Sequence, residues 1–83
     1  MTGHDDVELR LWRMLKDACN NEPHHMVRIA KLADDHLPVP HKQWTVETVR
    51  RWDNMGLVFA QENGAHASLT EEGVRTETPA HLE

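Results

Sequence analysis

At Gly56 the spacing of side chains along the chain changes, and that change limits the class of fold. Before it, Val46, Val49, Trp52 and Asp53 recur at intervals of three and four, the spacing of one helical face. After it, Leu57-Val58-Phe59-Ala60-Gln61 reads as a strand and His66-Ala67-Ser68-Leu69 as its return. Between them Asn63-Gly64 marks a tight hairpin, because both residues accept positive φ. A helix that passes straight into a hairpin belongs to a mainly α fold with a small β-hairpin, an α+β class.

Two further helical segments precede it. Val7, Leu11, Met14, Leu15 and Ala18 form one apolar stripe, so a first helix is expected over about 6–19, with Asp5 or Asp6 as its cap. Asn20-Asn21-Glu22-Pro23 ends it. A second segment, Met26–Asp35, puts Ile29, Ala30 and Ala33 on one face, small enough for another helix to come close. Leu37-Pro38-Val39-Pro40 makes a stiff connector. The third helix begins at Lys42 or Thr45, with Thr45 a candidate N-cap, and ends at Met55 before a left-handed Gly56. Thr70-Glu71-Glu72 looks like a capped helical turn that Gly73 weakens. The reading is one domain over 5–76, with 1–4 and 77–83 as flexible tails.

The chain has 83 residues, 9 Lys and Arg against 14 Asp and Glu, and a formal net charge of −5. No run of about 18 apolar residues is present, so no membrane span is expected. The first residues lack a basic-then-apolar signal pattern, and the single cysteine, Cys19, suits a reducing compartment, which points to the cytoplasm. No phosphate-binding glycine loop, serine elbow or oriented Cys/His pair is visible, so no enzyme activity and no cofactor are expected. Seven histidines invite a metal site, but none forms the i, i+4 pair with an acidic third ligand that zinc favours. Separate surface histidines are the simpler reading.

The order helix, helix, stiff turn, helix, Gly, hairpin resembles a winged helix-turn-helix domain. Val46-Glu47-Thr48-Val49-Arg50-Arg51-Trp52-Asp53-Asn54-Met55-Gly56-Leu57-Val58 is similar to the third helix and first wing strand of MarR-, PadR- and GntR-type regulators. Ile29-Ala30-Lys31-Leu32-Ala33 looks like their second helix, and Leu69-Thr70-Glu71-Glu72-Gly73 like the stretch that comes after their wing. The resemblance spans roughly residues 6–75 and implies three helices with a two- or three-stranded wing. It also implies sequence-specific binding of double-stranded DNA and a role in transcription regulation, with the third helix (about 43–55) in the major groove and the wing, 57–69, on the backbone. Two departures stand out: Trp52 replaces a usual leucine, and the wing tip Glu62-Asn63-Gly64-Ala65 lacks the basic residue many wings place on phosphates.

With Val46, Val49, Trp52 and Asp53 inward, Trp44, Glu47, Arg51 and Asn54 fall opposite, with Gln43 and Arg50 on one flank and Thr48 on the other. Arg51 is then placed to donate twice to guanine, Gln43 to pair with adenine and Glu47 to accept from cytosine. His41, Lys42 and Arg50 suit phosphates. Trp44 serves either as a plug between helices or at the bases; Thr45 and Thr48 either cap and fill or touch phosphate. Asn63 is a turn residue that a wing tip can also carry into a minor groove. Charge opposes this reading: residues 41–58 carry +1, whereas residues 59–83 carry −4. A homodimer, built through the first helix or the tail, would double the few cationic contacts. The alternative function is a winged-helix protein-interaction module, meeting a protein partner through the acidic wing and tail with Trp12 and Trp44 as anchors.

Overall fold

The computed structural model describes residues 5–38, 41–61 and 64–82, with the backbone alone at Lys42. In chain order come α1 (Asp5–Ala18), α2 (Ile29–His36), α3 (Lys42–Asn54), β1 (Val58–Gln61), β2 (His66–Leu69) and α4 (Glu71–Arg75), then a single 3-10 turn at Ala80–Leu82. Helices packed on a two-stranded antiparallel hairpin make this an α+β domain.

Asp5, Asp6 and Glu8 occupy the first turn of α1 and Lys16 its last, the charge order that suits the helix dipole. Asn20 and Asn21 then take left-handed φ values of 53° and 54°, which asparagine tolerates, and the helix stops. The buried side of α1 is Glu8, Leu11, Trp12 and Leu15, continued by Cys19. Relative to the expected stripe it is turned toward Trp12, and Glu8 is carried into the interior.

The second helix is shorter than its sequence pattern, because Val27 pairs with Ala67 and Arg28, at φ −83° and ψ 81°, is not yet helical. Val27 exchanges backbone hydrogen bonds with Ala67 at 2.9 and 3.0 Å, and His24 N–H donates to Leu69 O at 3.0 Å. β2 thus has the 23–27 segment on one side and β1 on the other, in the register Val58–Leu69, Phe59–Ser68, Ala60–Ala67 and Gln61–His66. The residues that lead into β2 lie close to the helices. Ala65 O accepts from Ala30 N–H at 3.2 Å, and a Cβ added at Gly64 (φ +90°) would lie 3.1–3.2 Å from Val46 of α3.

His41, extended at φ −162°, precedes α3, so Thr45 lies inside the helix and not at its cap. The helix ends as expected at Gly56 (φ +79°): Gly56 N–H donates to Asp53 O at 2.9 Å and Leu57 N–H to Trp52 O at 3.0 Å, the paired bonds of a Schellman ending. Thr70 caps α4, accepting from Gly73 N–H at 3.0 Å, while its hydroxyl donates to Gly56 O at 2.6 Å. One threonine therefore fastens both helix ends.

Trp12 and Trp52 meet edge to face with centroids 5.1 Å apart at 73°, and both are fully buried. Around them lie Leu11, Leu15, Ile29, Val49 and Leu69. Part of the stretch expected as a tail over 77–83 is bonded to α1. Glu77 O accepts from Trp12 Nε1 at 3.0 Å, Pro79 is fully buried, and Lys16 Nζ donates to Thr76 O at 2.7 Å and to Val74 O at 3.3 Å. No helix among the described residues is long and apolar enough to cross a membrane.

A Cβ added at Gly73 would lie 2.0 Å from Leu57 O, whose position the Thr70 N–H bond at 3.1 Å also fixes. Helix propensity alone favours alanine there by about 1 kcal/mol. The clash outweighs it, and Gly73→Ala is expected to lower stability by about 1–3 kcal/mol or more in urea titrations. Burial pushes the Cys19 thiol above its ordinary range, and a backbone hydrogen bond with Leu69 offsets only part of that. A raised value in the folded chain contributes stability below the unfolded thiol's value, about 8.5, which is lost as pH climbs through the folded one. The urea midpoint should therefore fall between about pH 8 and 10 more steeply for wild type than for Cys19→Ala.

Candidate nucleic-acid interface

The exposed face of α3 is set by which of its residues the core takes. Thr48 is fully buried, Thr45 is 3 % exposed and Trp44 8 %, alongside Val49 and Trp52. Asp53 is exposed, its carboxylate accepting from Ala60 N–H at 3.2 Å, and Val46 is only half-buried. The buried arc is thus rotated by roughly 70° from the one expected, taking 100° per residue. Threonine's methyl group explains the rotation: it fills an apolar site despite the polar atom beside it. Trp44, Thr45 and Thr48 accordingly turn away from any surface ligand.

Outward remain Gln43, Glu47, Arg50 and Asn54, at i, i+4, i+7 and i+11. Their positions fall within about 60° of one another, a stripe about 16 Å long at 1.5 Å rise per residue. His41 is exposed just ahead of the first turn. Among the described residues Arg50 and Glu47 form no ion pair with each other or with any neighbour. The Lys42 side chain and Asn63 lie outside the described residues.

Arg51 stands at the edge of that stripe and is engaged inward. Its Nη1 donates to Glu8 Oε1 at 2.9 Å, with the guanidinium side chain 51 % exposed and the carboxylate side chain 4 %. Glu8 Oε2 accepts from Trp52 Nε1 at 3.0 Å and also meets His81 Nε2. One buried carboxylate thus joins α1, α3 and the C-terminal turn. Glu8 lies outside the apolar stripe that the sequence shows for the first helix. Its place at the i−3, i−4 and i−7 positions of Leu11, Trp12 and Leu15 is the available signal, since an acid beside an apolar stripe needs donors.

Trp12 is fully buried and Trp44 nearly so, and neither is an accessible anchor for a partner. Among the described residues the exposed large apolar side chains are Met26, Met55 and Phe59, the last stacked on His24 at 6.0 Å. A groove of about 710 Å³ opens between α1, the turn after α3, α4 and the 76–82 segment, near Leu9, Leu57 and the Arg75–Glu72 ion pair. None of Gln43, Glu47, Arg50 and Asn54 lines it. Among the described residues no three His, Cys, Asp or Glu side chains come together as a metal site. Comparison with protein-family models, with curated proteins and with solved structures finds no match for this chain.

Thr48 Oγ1 is buried without a hydrogen-bond partner among the described residues. An unsatisfied buried hydroxyl costs about 1–3 kcal/mol, and valine has the same shape. Thr48→Val should raise stability by about 1 kcal/mol. A loss of similar size in thermal or urea melts would mean that the hydroxyl has an acceptor in solution.

Proposed function

We propose that the chain is a winged helix-turn-helix module that binds double-stranded DNA through the exposed stripe of α3 and acts in transcription regulation. The observation that carries this reading is the make-up of the stripe. Gln43, Glu47, Arg50 and Asn54 are four planar hydrogen-bonding side chains in line, each of a type that pairs with a base edge in the major groove. Arg50 suits guanine, Gln43 and Asn54 suit adenine, and Glu47 suits a cytosine amine. In this reading Arg50 takes the part that periodicity alone assigns to Arg51. His41 and Lys42, at the helix start, suit a phosphate at the positive end of the helix dipole. The helix order supports the reading, as does a hairpin whose strand β2 also pairs with the 23–27 segment.

So few unpaired cations predict weak, strongly salt-dependent binding by one copy, and a homodimer would double the contacts. A second reading, a protein-interaction module without direct DNA contact, is favoured by the net charge of −5 and by exposed Met26, Met55 and Phe59. Fluorescence anisotropy on mixed-sequence duplex at about 50 mM salt separates the two. The DNA reading expects micromolar binding that weakens steeply by 200 mM, and an Arg50→Ala loss of about 1–3 kcal/mol. Equal affinity of wild type and Arg50→Ala, or no binding at tens of micromolar protein, would remove α3 as the reading element.

A further inference from the structure

Glu8 offers two carboxylate oxygens to three donors, and the three differ in how free they are to leave. Trp52 is fully buried and fixed by its edge-to-face contact with Trp12. Arg51 is half-exposed on a long stem at the margin of the α3 stripe, and the His81 side chain is 31 % exposed. A buried carboxylate oxygen without a donor is costly, so Arg51 can depart readily only if a donor besides Trp52 stays for the second oxygen.

We infer that Arg51 and His81 are alternative donors to the Glu8 carboxylate, so that His81 holds the site while Arg51 turns outward to a nucleic-acid phosphate. This inference rests on the DNA-binding reading for its second half alone. Trp52 and His81 both address Oε2, and a carboxylate turned about its last bond gives one oxygen to each. The 77–82 segment keeps His81 in reach, held to α1 by the Trp12–Glu77 bond and the buried Pro79. That segment thereby acts as a strap that makes a second cation available beside Arg50. His81 is a positioning residue: it touches no ligand and works through Glu8.

The test is a stability cycle on the full chain at one pH, with wild type, Arg51→Ala, His81→Ala and the double variant. Alternative donors predict small single losses in Tm and a double loss exceeding their sum by about 5 °C. His81→Gln, which keeps a side-chain N–H donor, should restore most of the His81→Ala loss. In duplex binding, His81→Ala is expected to weaken affinity about threefold to tenfold in wild type and not at all in the Arg51→Ala background. Additive melting shifts, or a His81→Ala binding loss that persists without Arg51, would overturn the exchange. Failure of wild type to bind duplex would remove the DNA reading and the phosphate step together, while the melting cycle still decides whether the two donors share the carboxylate.

Discussion

A single acid far from water ties together three lengths of chain that are remote in sequence. Glu8 comes from α1, Arg51 and Trp52 from α3, and His81 from the last turn. Replacing such a group by an apolar one of similar shape is often neutral, whereas leaving its charge buried without partners is strongly unfavourable. Its structural worth is therefore geometric. The acid requires that the rotation of α3 about its own axis present Arg51 and Trp52 to α1 together, and that rotation decides which of its side chains meet solvent. The make-up of the exposed stripe is a consequence of what the core demands on the opposite side.

The second organising element is β2, bordered by the 23–27 segment and by β1. Its end runs into Thr70, whose hydroxyl closes the last turn of α3 and the first of α4 at once. Because Gly64 lies close to Val46 and Ala65 O accepts from α2, β2 is held at its start as well as at its end. In a chain this short, where only about 60–65 % of the unfolded surface is buried, such shared polar fastenings substitute for a larger apolar core.

Much of the fold is legible in the sequence. The three long helices, the left-handed Gly56, the Thr70 cap and the two strands all follow from periodicity and from residues with narrow backbone preferences. The start of α2 is not, because Met26–Arg28 fits a helical pattern locally and is kept out of the helix by the pairing of Val27 with β2, a long-range contact. The buried face of α3 departs by roughly 70° from its periodicity because Thr45 and Thr48, polar by residue type, pack as apolar side chains. Of the proposed interface, Gln43, Glu47, Arg50 and Asn54 are all identifiable from sequence, with Arg50 and Gln43 expected at the flank instead of the centre. The docking of 77–82 leaves no trace in local pattern, since Glu77 is held by an indole more than sixty positions away.

The bond from Ala60 N–H to the Asp53 side chain has an effect beyond fixing one loop. β1 is the outer strand of the hairpin, and an unclaimed amide there is an invitation for a foreign strand to add itself to the sheet. With that amide occupied by a negatively charged group from the neighbouring helix, addition of a foreign strand at this border is discouraged.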